Sequence, residues 1–229
     1  MNRSIFLVAS TLALAGGSAL AAVTLDCPTR SNPGVPNDPP CQAGFPTALV
    51  ELGQDSNLFS SPTIADLDGN GSPEIIFGTQ GGRVVAVRAN GTLMWSRSTG
   101  SVSVQSKPAV ADIDGDGQLE VIVGAGSASV NGGGIHVISH TGQLQCSFTA
   151  LNPEHPQGMY ASPSVGNLDP STPGVLEIAV ASFDFRFRVL RHDCSVWWEH
   201  AVDEYVVDSI WSSPSIVDLD RNGTLDIVI

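Results

Sequence analysis

A short motif returns four times along the chain and constrains the fold more than any other feature. Each copy places a proline four residues before an Asp or Asn, and the prolines are Pro62, Pro108, Pro163 and Pro214. The intervals between them are 46, 55 and 51 residues. A spacing of about 40–50 residues is typical of a four-stranded propeller blade. The sequence therefore predicts four copies of one structural unit.

Short apolar runs within each repeat predict β-strands and almost no helix. In repeat one the runs are 63–67, 74–78, 83–88 and 92–96. Later repeats carry the matching runs 120–124, 135–139, 143–148, 177–181, 185–191 and 195–198. Asn90-Gly91 predicts a two-residue turn between the last two strands, with counterparts at 141–142 and 193–194. Trp95 is predicted to be a packing residue.

Both β-sandwiches and β-propellers contain many short, evenly spaced strands. Only the propeller predicts a loop motif that returns at one fixed place in every unit. We predict an all-β fold, a β-propeller of four-stranded blades present as an incomplete arc of about three blades plus the start of a fourth. Ile229 lies in the second strand of repeat four, and because open sheet edges recruit other chains, a longer protein is expected. A strand at 48–52 is expected to pair with the last blade.

The loop after the first strand of each repeat gathers oxygen-bearing side chains. In repeats one, two and four these fall at loop positions one, three, five and nine, with glycine at position six. Calcium takes about six to eight oxygen ligands, which alternate side chains and the carbonyl of position seven would supply. Asp, Asn and Gly also make ordinary polar turns, but three matching loops are harder to explain in that way. Crowded carboxylates would repel one another without a cation.

An EF-hand shares part of this spacing but requires a Glu at position twelve and flanking helices. Position twelve is apolar here (Phe77, Val123 and Ile229) and the flanks are predicted strands, so the EF-hand is excluded. Repeat three departs from the pattern. It begins with Asn167 and keeps only Asp169 and Glu177 as carboxylates, which predicts weak calcium binding or none.

The chain resembles the FG-GAP/VCBS repeats, which also build the propeller head of integrin α subunits. The resemblance rests on the three loops and on the strands that follow them, 74–79 and 120–126. It implies a calcium-binding propeller with surface interaction roles. The calcium ligands implied are Asp66, Asp68, Asn70, Ser72 and Glu74 in repeat one, Asp112, Asp114, Asp116, Gln118 and Glu120 in repeat two, and Asp218, Asp220, Asn222, Thr224 and Asp226 in repeat four.

The charge distribution favours the same interpretation. The formal net charge is −13 and Lys107 is the only lysine, which argues against a nucleic-acid partner because phosphate binding needs clustered basic residues. Of 23 acidic residues, 12 lie in the four loops. Bound calcium would neutralise much of this charge.

The N-terminal residues read as an export signal. Residues 1–21 combine one arginine, an apolar run and a small-residue cleavage site after Ala21. The run is too short to span a bilayer of about 30 Å. We therefore predict a signal peptide (1–21), a Pro- and Cys-rich segment (22–46) and propeller repeats (47–229), without a transmembrane segment. The expected location is extracellular or at the cell surface or, in a bacterium, the periplasm.

Export makes disulfides plausible among the four cysteines, Cys27, Cys41, Cys146 and Cys194. Four cysteines allow three pairings. Cys27 with Cys41 is preferred because both lie in the Pro-rich segment. A zinc site is disfavoured, since the sequence has no C-x-x-C.

Two classes of function stay open from the sequence. The first is a protein- or glycan-binding adhesion module, whose ligand would bind at the propeller face. The alternative is part of a propeller enzyme, either a polysaccharide lyase or a quinone-dependent dehydrogenase. Residues 82–87 with Trp95 mildly resemble the repeats of quinone-dependent dehydrogenases. The catalytic groups of such an enzyme would lie beyond Ile229. No catalytic residue is predicted. His136 and His140 share an H-x-x-x-H spacing, but in a strand and turn they are ordinary polar positions.

Overall fold

The chain is represented by a computed structural model that describes residues 60–101, 103–127, 130–150, 158–201 and 210–229, together with the dipeptides 8–9 and 47–48. Across these residues the secondary structure consists of β-strands, turns and bends, with no helix. Nor do they contain a helix long and apolar enough to span a membrane. The expected all-β class is confirmed.

Each repeat folds into one antiparallel sheet, called a blade here, whose strands pair in chain order. Three blades have four strands, and blade four has two. Blade one contains β3 (Thr63–Ala65), β4 (Glu74–Gly78), β5 (Arg83–Val87) and β6 (Leu93–Ser98). Blade two contains β7 (Ala109–Ala111), β8 (Glu120–Ser127), β9 (Val130–Ser139) and β10 (Leu144–Thr149). Blade three contains β11 (Ser164–Gly166), β12 (Glu177–Ala181), β13 (Arg186–Leu190) and β14 (Val196–Ala201). Blade four contains β15 (Ser215–Val217) and β16 (Asp226–Val228).

The blades form an open arc, as expected. The second strands have the predicted bounds at 74–78 and 177–181, and their continuous apolar runs are buried along the whole strand. β9 begins five residues before the predicted 135, at Val130. The extra residues include three glycines, which carry little strand propensity. They pair with β8 nevertheless, and a Cβ on Gly134 would lie only 2.0 Å from the carbonyl oxygen of Phe148.

The predicted two-residue turns between the last two strands are wrong. The turn in blade one has three residues, 89–91, closed by hydrogen bonds from Gly91 N to the Arg88 carbonyl (2.8 Å) and from Arg88 N to the Thr92 carbonyl (2.9 Å). Gly91 is left-handed, with a φ of 83°. A type I turn followed by a left-handed residue is the usual three-residue hairpin, and it matches the twist of the strands.

The same turn recurs in blades two and three, with Gly142 (φ 84°) and Cys194 (φ 66°) at the left-handed position. Cys194 is thus a side-chain-bearing residue where the other blades use glycine. The side chain of Cys194 forms a disulfide with Cys146 of β10. The disulfide joins blade two to blade three.

The core lies between adjacent blades. Apolar residues of facing sheets form clusters between blades one and two, between blades two and three, and between blades three and four. Fully buried members of the first include Ile76, Val84 and Ile138, and of the second Ile122, Ile135 and Leu190. Trp95 packs against the first cluster, as predicted.

The N-terminal predictions fall mostly outside the described residues. These include the signal peptide, the 22–46 segment, Cys27 and Cys41. The observed Cys146–Cys194 bond excludes the two pairings that would join Cys27 or Cys41 to either of these cysteines. Of the strand expected at 48–52, only Ala48 is described. It lies in β2 (Thr47–Ala48), which pairs in parallel with β1 (Val8–Ala9) and not with the last blade.

Candidate metal centres

The strand pairing explains why loop positions one and nine meet. In blade one, β3 ends at Ala65 and pairs with Glu74, the first residue of β4. Asp66 therefore leaves the sheet beside Glu74, and the loop between them turns back over this edge. The same pairing joins Ala111 to Glu120 and Val217 to Asp226.

Three carboxylates converge in each of the loops of blades one, two and four. Each contributes one oxygen, and the three oxygens lie within 4.8 Å of one another. The groups are Asp66, Asp68 and Glu74; Asp112, Asp114 and Glu120; and Asp218, Asp220 and Asp226. Nine of the fifteen predicted ligands are therefore brought together, at positions one, three and nine.

The carboxylate at position one also organises the loop backbone. Asp66 accepts hydrogen bonds from the N–H groups of Asn70 (3.0 Å) and Gly71 (2.8 Å). Asp218 does the same with Asn222 and Gly223, both at 3.0 Å. These contacts curl the loop around the carboxylate and hold it next to positions three and nine.

Position five is used within the loop. The side-chain oxygens of Asn70, Asp116 and Asn222 accept hydrogen bonds from the backbone N–H of position seven at 2.8, 2.7 and 2.8 Å. Asp116 is not part of the converging carboxylate group of its loop. The role of positions five and seven as ligands therefore stays a prediction.

Two residues in each loop are left-handed, and the sequence pattern identified only one of them. Position six is glycine, with φ values of 85°, 86° and 87°. Position four is also left-handed, with Gly69 at 71°, Gly115 at 80° and Arg221 at 61°. The Gly-x-Gly spacing in the first two loops was the available signal. The last loop lacks this signal because Arg221 occupies position four, where a residue with a side chain adopts the left-handed conformation at a cost in free energy.

The carboxylate at position nine is buried in blades one and two. Glu74 and Glu120 are each 1% exposed. Glu74 accepts a hydrogen bond from Leu67 N (2.9 Å), and Glu120 accepts one from Ile113 N (3.1 Å). Burial raises the pKa of both carboxyls above 4.5, and nearby Asp side chains add to this. A buried carboxylate with acidic neighbours is costly unless a cation compensates it.

Repeat three is arranged differently. Glu177 accepts hydrogen bonds from Leu168 N (2.8 Å) and Asp169 N (3.0 Å). Asp169 turns to Ser171, whose hydroxyl and N–H lower the pKa of that carboxyl. Asn167 leaves a buried Oδ1 without a hydrogen-bond partner. The carboxylates of repeat three are not among the converging groups that the described residues form.

The three carboxylate groups fit a hard divalent cation. Every converging donor is a carboxylate oxygen, the ligand type of Ca²⁺ and Mg²⁺, whereas zinc sites rely on Cys and His. Their shared geometry does not identify the metal. It does place three similar, strongly acidic sites at the same edge of three blades.

The first and second loops lie side by side. A groove of about 260 Å³ separates them, lined on one side by residues 66–69 and on the other by residues 117–119 and His140. The acidic edge is therefore continuous across blades one and two.

Comparison with known proteins confirms the expected repeat in part of the chain. Residues 66–123, which run from the first acidic loop into the second strand of blade two, match the FG-GAP-like repeat. No curated protein sequence matches the chain.

Solved structures confirm the propeller architecture. The V. cholerae biofilm matrix protein Bap1 is 20% identical, with a TM-score of 0.54 over 76% of this chain and 28% of Bap1. The C-terminal domain of Pseudomonas aeruginosa PilY1 is 18% identical, with a TM-score of 0.53 over 69% of this chain and 40% of that one. The Bacillus licheniformis rhamnogalacturonan lyase is 16% identical, with a TM-score of 0.51 over 75% and 39%. The chain spans less than half the length of each, and at these identities the likeness concerns the fold.

Proposed function

We propose that the chain is an exported, calcium-binding β-propeller that acts as a protein- or glycan-binding adhesion module. The observation that carries the proposal is the convergence of three carboxylates in each of three equivalent loops. The predicted signal peptide supports export. Calcium is preferred to magnesium because the loops offer several protein oxygens at once, whereas Mg²⁺ tends to keep its water.

Calcium would be held by the carboxylates at positions one, three and nine, completed by oxygens of positions five and seven. The ion supplies positive charge, and its role here is structural. It would offset the repulsion among the carboxylates and the cost of burying Glu74 and Glu120. The loop ends of neighbouring blades would then be fixed relative to one another.

The side-by-side loops favour this edge as the binding face. The groove between loops one and two is polar and acidic, and it is bordered by two of the proposed calcium sites. A partner that offers carboxylate or hydroxyl oxygens, as acidic proteins and glycans do, would be attracted only with calcium in place. Binding of such a partner is therefore expected to require calcium.

The test compares thermal stability with calcium and with EDTA. Free calcium at 100 times the dissociation constant stabilises a folded protein by about 2.7 kcal/mol for each site. We expect EDTA to lower the melting temperature, and Asp114→Ala to reduce the calcium-dependent part. Asn167→Ala in repeat three is the matched control and should leave it unchanged. Identical melting curves with and without EDTA would refute calcium binding.

The adhesion role is tested separately from the metal. Retention of the purified chain on immobilised acidic glycans and matrix proteins, measured with calcium and with EDTA, should depend on calcium and on Asp114. The enzyme alternatives give other signals. A bound quinone absorbs visible light, and a lyase raises the ultraviolet absorbance of pectic substrates. Either signal would replace the adhesion proposal while leaving the calcium sites intact.

A further inference from the structure

Loop three, residues 167–177, contacts loop two directly, whereas the groove described above separates loops one and two. The backbone N–H of Leu176 donates to the carbonyl oxygen of Ile113 at 2.9 Å. A Cβ added to Gly115 would lie 3.0 Å from the carbonyl oxygen of Gly174. Positions two and four of loop two are therefore both contacted by loop three, on either side of the carboxylate at position three.

Loop one lacks both contacts with the loop that follows it. Leu119 stands in loop two where Leu176 stands in loop three, yet among the described residues no hydrogen bond runs from the Leu119 N–H to the Leu67 carbonyl. A Cβ added to Gly69, at position four of loop one, would meet no atom within 4 Å. The two acidic loops share the spacing of their carboxylates but differ in the support that they receive from outside.

Both junctions are closed at their hairpin turns. Trp95 of β6 donates its Nε1–H to the carbonyl oxygen of His140 at 2.8 Å. Cys146 occupies the equivalent place in β10, next to the irregularity before the turn, and is bonded to Cys194 of blade three. Each outermost strand is thus attached to the hairpin of the next blade, and the difference between the two junctions lies in the loops.

Loop three holds its shape without converging carboxylates. It is two residues longer than the other loops, and it folds back through hydrogen bonds from Thr172 N to the Asp169 carbonyl (3.0 Å) and from Val175 N to the Thr172 carbonyl (3.1 Å). The Asp169 carboxylate lies 3.9 Å from the guanidinium of Arg191. Gly174 is left-handed, with a φ of 88°. Loop three is therefore braced by backbone hydrogen bonds and an ion pair, none of which needs a metal.

We propose that loop three is a positioning element that pre-forms loop two, so that loop two binds calcium more tightly than loop one. This inference rests on the calcium binding proposed above. Leu176 and Gly174 act through the backbone of loop two. As the calcium concentration rises, loop two fills before loop one, and the groove between them responds to calcium through loop one.

The backbone of Ile113 gives the physical reason. Its N–H donates to Glu120 at 3.1 Å, and its carbonyl accepts the N–H of Leu176. Both peptide groups between Asp112 and Asp114 are therefore held, whereas in the described part of loop one only the N–H side of position two is held. A loop that is already ordered loses less freedom when the ion binds. The cost of ordering one backbone residue corresponds to about tenfold in affinity.

A calcium titration followed by NMR tests the order of filling. The amides of Gly71 and Gly117, both at position six, donate to the position-one carboxylate of their own loop, and a chelator buffer sets the free calcium. We expect the Gly117 midpoint at about tenfold lower calcium than the Gly71 midpoint. In EDTA the Gly117 amide should also exchange more slowly with solvent than the Gly71 amide, a difference that needs no bound ion.

Leu176→Pro removes the hydrogen-bond donor of loop three. Proline is the residue that repeat one carries at this place, Pro73. The substitution should raise the Gly117 midpoint about tenfold and leave the Gly71 midpoint unchanged. Leu176→Ala is the matched control, because it keeps the N–H and removes only the side chain, and it should preserve the order of filling.

A pair of glycine variants tests the second contact without changing loop three. Gly115→Ala and Gly69→Ala each place a methyl group at a left-handed position four, with φ values of 80° and 71°. Only the methyl group at position 115 meets the Gly174 carbonyl. Gly115→Ala should therefore weaken calcium binding by loop two more than Gly69→Ala weakens calcium binding by loop one.

The possible failures separate this inference from the proposed function. Equal midpoints for Gly71 and Gly117, or an unchanged order of filling in Leu176→Pro, would overturn the role of loop three while leaving calcium binding in place. Equal weakening by the two glycine variants would do the same for the Gly174 contact. Absence of a calcium-dependent shift at either glycine amide would refute the proposed calcium binding and, with it, this inference.

Discussion

Replacing the interblade disulfide tests whether Cys194 occupies the same left-handed turn position as the glycines of the other two hairpins. The perturbation is a pair of double variants, Cys146→Ser/Cys194→Ser and Cys146→Ser/Cys194→Gly. The bond closes a sequence separation of 48 residues, for which restriction of the unfolded chain is worth roughly 4 kcal/mol. The serine variant should lose about this amount of unfolding free energy, because the bond is removed. It should regain none of it, because Ser keeps a side chain at the left-handed position.

The glycine variant should lose less. Cys194 has a φ of 66°, which costs an L-residue about 1–2 kcal/mol, and glycine avoids that cost. The greater freedom of glycine in the unfolded chain lowers stability by about 0.4–1 kcal/mol and so offsets part of this gain. We therefore expect the glycine variant to be about 1 kcal/mol more stable than the serine variant, measured by chemical denaturation with calcium present. Equal stability of the two, or greater stability of the serine variant, would refute the equivalence of Cys194 with Gly91 and Gly142.

Three further predictions concern the loops and the first interface. Arg221→Gly should stabilise the chain by up to about 1 kcal/mol in urea denaturation, because the left-handed position four (φ 61°) then carries no side chain; a loss would contradict this. Trp95→Ala should destabilise by about 3 kcal/mol, as expected for a large packed side chain, with Trp197→Ala on the exposed strand as the control. Calcium should stabilise less as pH falls toward the raised pKa values of Glu74 and Glu120, since protons then compete with the ion for these carboxylates. Burial lowers the pKa of His136 to about 4, so acid destabilises the fold through this residue with and without calcium, and only the calcium-dependent difference in melting temperature tests the loops.

The blades were predictable because their signals are local. Strands such as 74–78 and 177–181 are short apolar runs bounded by turns, and their limits follow from the sequence. The loop spacing likewise identified the carboxylates that converge, since positions one and nine flank a two-strand pairing. Where glycine dilutes the apolar pattern, as in 130–134, the start of the strand was missed, although it pairs with β8 across an irregularity in register.

The contacts between blades were not predictable, because they join residues 45 or more positions apart. Trp95 was identified as a packing residue, but nothing in its own repeat shows that it docks on the His140 carbonyl. The disulfide is a similar case. Cys146 and Cys194 lie 48 residues apart, and only alignment of hairpin turns across blades reveals that they occupy the two sides of one recurring contact.

Loop position two links the acidic loops to the interfaces between blades. The backbone N–H of Leu67 is held by the buried carboxylate of Glu74, and its side chain is 2% exposed in the core between blades one and two. Ile113 has the same relation to Glu120 and to the core between blades two and three. A charge change at position nine therefore acts on the residue that closes the adjacent interface. For this reason loss of calcium is expected to loosen the packing of neighbouring blades as well as the loops themselves.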